Sequence, residues 1–75
     1  MADLPRLSGK EMVRFLEKQG FAVARIRGSH HFLVRRELRT SVPVHANKTL
    51  KIGTLRSILR DVDMTPTEFE ELWNS

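Results

Sequence analysis

Arg25-Ile26-Arg27-Gly28-Ser29-His30-His31-Phe32 is the stretch around which this 75-residue chain is arranged. A β-prone run, Phe21-Ala22-Val23-Ala24-Arg25-Ile26, leads into Gly28-Ser29, and His31-Phe32-Leu33-Val34-Arg35 leads out. Glycine takes positive φ at no steric cost, so a tight turn here makes the two runs an antiparallel hairpin. Side chains along a strand alternate between its faces. One of His30 and His31 therefore faces the core, and the other faces solvent beside Arg25 and Arg27. An imidazole among arginines at the rim of a sheet suits the holding of a phosphate and the movement of a proton.

Outward from the hairpin, both flanks read as helix. On the N-terminal side, residues 1–7 form an arm without periodicity. Ser8 and Glu11 then make a capping box, and Met12, Val13, Phe15 and Leu16 form an apolar stripe that ends at Gly20. The first helix is expected over 9–19. On the C-terminal side, Arg36-Glu37-Leu38-Arg39 is a polar turn, and Thr40-Ser41-Val42-Pro43-Val44 is a third strand. It is an edge strand, because Pro43 has no N–H to donate. His45 to Thr49 reads as a polar loop. Leu55, Ile58, Leu59 and Val62 give a second helix that begins between Lys51 and Thr54. Thr65-Pro66-Thr67-Glu68 starts a short last helix, within residues 65–73. The fold class is α+β: a single domain, 1–75, with a helix, a three-stranded antiparallel sheet, a helix and a short C-terminal helix. Helices must cover one face of so small a sheet, and the other face stays open.

Charge divides the chain in three. Residues 1–24 carry net +1, residues 25–60 net +8, and residues 61–75 net −5. An almost purely cationic middle is the footprint of a polyanion binder. The chain has no cysteine, which removes disulfides and thiolate metal sites. No apolar run approaches the roughly 18 residues of a membrane span. Met1-Ala2-Asp3-Leu4-Pro5 lacks a signal-peptide pattern, so the expectation is a soluble cytoplasmic protein without a membrane partner.

Several blocks now match a known family in order. Leu7-Ser8-Gly9-Lys10-Glu11, Leu16-Glu17-Lys18-Gln19-Gly20-Phe21 and Gly28-Ser29-His30-His31 are three of them. The others are Val42-Pro43-Val44-His45-Ala46-Asn47-Lys48 and Leu50-Lys51-Ile52-Gly53-Thr54-Leu55-Arg56-Ser57-Ile58-Leu59. Over roughly residues 6–70 the chain resembles HicA-type (YcfA-like) mRNA interferase toxins. The resemblance implies a fold like that of double-stranded-RNA-binding domains, ribonuclease action on mRNA, and a HicB-type antitoxin as partner. It places the catalytic histidine three residues after the motif glycine, on His31. The turn at Arg36-Glu37 departs from the commoner Asp-Gly type, which should change hairpin shape and not chemistry.

The chemistry open to these residues agrees with that class. RNA carries its own nucleophile, and a histidine of ordinary basicity can take the 2′-OH proton near neutral pH. In this reading His31 is the base, in the open, and Arg25, Arg27, Lys48 and Lys51 meet phosphate. The N–H groups of Gly28 and Ser29 assist as an anion nest. His45 is a possible auxiliary acid, and His30 is expected to be partly buried with a backbone partner. No cofactor is expected, and no metal: adjacent strand histidines diverge, and no HExxH or carboxylate cluster accompanies them. Ser29 lacks a G-x-S-x-G elbow and an acidic partner. The competing reading is a non-catalytic double-stranded-RNA-binding module of the same fold. A further role is docking of an acidic antitoxin on the basic surface.

Overall fold

A computed structural model describes residues 4–75. Residues 1–3 of the expected arm lie outside the described residues. The elements run α1 (Gly9–Lys18), β1 (Ala22–Arg27), β2 (His30–Arg35), β3 (Leu38–Pro43), α2 (Ile52–Asp61) and α3 (Pro66–Trp73). The strands form one antiparallel meander in the order β1-β2-β3, so β3 is an edge strand, as Pro43 implied. The remainder of the arm is docked: Leu7 is buried in the core and Leu4 packs against it.

Local chemistry explains the helix ends. Ser8 Oγ accepts from the Glu11 N–H at 3.1 Å, and Glu11 Oε1 accepts from the Ser8 N–H at 2.8 Å. The same reciprocal box joins Thr65 and Glu68 at the start of α3, with Pro66 behind it. Each satisfies donors that a helix start otherwise leaves orphaned. Between α2 and α3, Asp63 has φ +57° and the Met64 N–H donates to the Leu59 carbonyl, a left-handed cap that turns the chain sharply.

Both hairpins have two-residue turns. Gly28 at φ +56° takes the first, and Arg36 at φ +55° takes the second, a position where a side chain is strained. The turn is therefore shorter than the four residues 36–39 expected for it: Leu38 and Arg39 belong to β3.

β1 contains a bulge between Val23 and Arg25. Val23 pairs with Leu33, but Arg25 pairs with Phe32 and Ile26 with His31. Without the extra residue Ala24, Val23 and Arg25 would share one face. The bulge turns Arg25 and Arg27 away from the helices, as bulges re-aim side chains.

One face of the sheet carries Leu33, Thr40 and Val42 beneath the helices, packed with Met12, Phe15, Leu16, Leu55, Ile58 and Leu59. Thr40 is the one polar member, and its hydroxyl donates to Asp61 Oδ2 at 2.9 Å, tying β3 to the end of α2. α3 completes the core with Phe69, which meets Phe15 edge-on at 4.8 Å between ring centroids and stacks on Trp73 at 5.9 Å. α1 seats so closely on the end of β3 that a Cβ at Gly9 would overlap the Pro43 carbonyl oxygen.

Candidate active site at the hairpin turn

His31 lies on the helix-covered face. In the ladder it stands between Ile26 of β1 and Val42 of β3. Val42 is fully buried, whereas Ile26 is 56% exposed, so the helix cover gives out across this row. The imidazole sits at that margin, half-buried, with Nδ1 shut off from solvent and without a hydrogen-bond partner among the described residues. This corrects the expectation of His31 in the open among guanidinium groups. The reason is register: β2 points residues 31 and 33 to one side, and Leu33 is core.

His30 takes the opposite place and is also a correction. It is exposed, not partly buried, and pairs with Arg27 and Pro43 on the open face. Arg25 and Arg27 share that face because of the bulge, so the structure does not bring them to the His31 side. Arg25 instead lies over the Phe32 ring, with its guanidinium carbon 5.2 Å from the centroid.

Other predicted residues do converge. Past the end of β3, the Val44 N–H donates to the Ser29 carbonyl at 2.6 Å, and His45 Nε2 comes to 3.5 Å from Ser29 Oγ. His45 thus reaches the Gly28-Ser29 turn, two residues along the chain from His31. The loop that carries it is pinned twice. The Leu50 N–H donates to the Leu7 carbonyl, and Thr49 bridges to Ser8. The Lys48 N–H folds back onto the His45 carbonyl at 2.8 Å. His45, Lys48 and Lys51 line one shallow hollow of about 360 Å³. Lys51 also stands at the start of α2, where no side chain caps the helix.

His45 therefore joins two places: it reaches Ser29 at the turn, and it shares a hollow with Lys48 and Lys51, while Arg25 and Arg27 face the other side of the sheet. Sequence reasoning missed Phe32 and Arg39 on the open face. Alternation from His30 would have found Phe32, and the true start of β3 at Leu38 would have found Arg39. Among the described residues, no three His, Asp or Glu side chains converge in a way that could hold a metal ion. Nor is any helix there long and apolar enough to cross a membrane.

A helix, a three-stranded meander and a second helix on one sheet face make a small α+β domain whose layout is consistent with the fold of double-stranded-RNA-binding domains. The sequence model of the family described as HicA toxin of bacterial toxin-antitoxin matches residues 9–64. The chain belongs to the HicA toxin family, and is accordingly the toxin of a toxin–antitoxin pair. No curated protein and no solved structure gives a significant match. The family match ends just before α3, which begins at Pro66.

Proposed function

We propose that this toxin is a metal-independent endoribonuclease that cuts mRNA in the cytoplasm, with His31 as general base and a HicB-type antitoxin as its inhibitor. One observation carries the reading: the sealed Nδ1 of His31, without a partner among the described residues, in a row whose other members are Ile26 and Val42. A buried polar atom without a partner costs about 1–3 kcal/mol, so packing alone would favour an aliphatic residue there. Packing does not account for a histidine in such a place, and that supports a chemical role.

In the step proposed, His31 takes the proton from a ribose 2′-OH. The 2′ oxygen attacks the adjacent phosphorus, and the bond from phosphorus to the 5′ oxygen breaks. The products are a 2′,3′-cyclic phosphate and a 5′-OH, whose proton comes from His45 or water. Proton transfer of this kind is worth about 10² to 10⁴ in rate. Lys48, Lys51 and the N–H groups of Gly28 and Ser29 stabilise charge on the phosphoryl oxygens. Arg25 and Arg27 hold RNA at a distance from the reacting atoms.

The test is incubation of mRNA with the protein in EDTA, beside a His31→Ala variant. Cutting by the parent, a cyclic-phosphate end, and loss of cutting with retained binding are expected. Cutting by the variant removes His31 from the mechanism. Binding without cutting by the parent supports a double-stranded-RNA-binding module instead.

A further inference from the structure

The open face of the sheet lies on the opposite side from His31. By register it carries Arg25, Phe32 and Ser41 in one row, Arg27, His30 and Pro43 in the next, and Ala22, Val34 and Arg39 in a third. No acidic side chain occurs among them. Phe32 is the one Phe, Tyr or Trp among them, half-buried, with the Arg25 guanidinium over its ring. At its β3 edge the face runs into a hollow of about 750 Å³, lined by His30, Ser41, Pro43, Lys51, Thr54 and Ser57. Asp61, whose carboxylate accepts from Thr40, lies at its margin.

We infer that this face binds single-stranded RNA, with an unstacked base on the Phe32–Arg25 platform and the backbone running past Arg27 and His30 towards Lys51. Aromatic rings and guanidinium planes are the surfaces on which proteins stack splayed bases, and flanking cations follow the backbone. The acid-free face is complementary in charge to that ligand and to no cationic one. Placement adds a second reason. Phe32 and His31 face opposite sides of one sheet, so RNA that meets both must bend over the Gly28-Ser29 rim. A flexible single strand can do so, and a stiff duplex cannot. The inference takes its ligand class from the ribonuclease reading, but it concerns binding and not cutting.

The experiment is equilibrium binding of a 12-nucleotide 2′-O-methyl RNA, which lacks the nucleophile and so reports binding whether or not the protein cuts. The same strand annealed to its complement is the comparison. Phe32→Leu is expected to weaken single-strand binding about tenfold, and Arg25→Gln to weaken it further at low salt. Phe32→Trp should keep or tighten binding, and Lys18→Ala, on the far side of α1, should change nothing. Equal binding by parent and Phe32→Leu overturns the inference, as does duplex binding that matches single-strand binding. So does failure of the parent to bind the single strand, which would assign the face to a protein partner. Tight, Phe32-dependent binding by a parent that fails to cut unmodified RNA would uphold the platform and sink the nuclease.

Discussion

His31 stands directly across the β2–β3 ladder from Val42, and across the β1–β2 ladder from Ile26, so an imidazole fills the middle of an aliphatic row. Replacement by a residue that suits the row should separate stability from activity. His31→Leu removes the partnerless Nδ1 and adds apolar contact. It is expected to stabilise the fold by about 1 kcal/mol while abolishing RNA cutting. Denaturant unfolding with Trp73 as reporter, set beside a cleavage assay, checks both halves. A less stable His31→Leu protein would show that the ring contributes to packing.

Gly28 separates conformation from space. Nothing lies within 4 Å of where its Cβ would be, yet its φ is +56°. Gly28→Ala should therefore cost about 1–2 kcal/mol through backbone strain alone. An unchanged melting curve would mean that the turn has another shape.

Arg36 is the mirror case, a long side chain at φ +55° in the second hairpin turn. Arg36→Gly relieves that strain but frees the unfolded chain, and the net gain expected is about 0.5 kcal/mol. A loss of stability on urea unfolding would point to a contact made by the guanidinium.

Phe69 is wholly buried against Phe15 and Trp73, although it lies beyond the family match. Phe69→Ala should cost about 3–5 kcal/mol, a large share of the stability of so small a domain. Calorimetry would show a steep fall in Tm. A near-normal Tm would make α3 an accessory and not a part of the core.

Acid should loosen α3 first. Glu68 is held below the usual carboxylate range, chiefly by the Thr65 N–H that it accepts and then by the Thr65 hydroxyl. A carboxyl lowered in the folded state lends stability that is complete above its unfolded pKa and fades as pH falls through the folded value. Trp73 fluorescence should therefore shift below the ordinary carboxylate range before global unfolding, and Glu68→Gln should flatten that shift.

The sequence carried the architecture because its signals were local. Ser8 with Glu11, Thr65 with Pro66 and Glu68, Gly28 and Pro43 each act within a few residues, and each stands where its chemistry implied. Faces were less legible. Alternation alone left open which histidine joined Arg25 and Arg27, because the answer depends on the bulge at Ala24, and no residue there announces one. His45 was equally undecidable, since its approach to Ser29 depends on where Leu50 and Thr49 anchor the loop against the chain before α1.

The seam between Gly9 and the Pro43 carbonyl has a use beyond this molecule. It leaves room for a hydrogen atom and nothing larger, so a related chain whose third strand ends in the same way can keep this seating only with glycine at the matching place. A bulkier residue there would signal a first helix lifted from the sheet. That single letter is thus a diagnostic for whether this geometry can be carried over to another sequence.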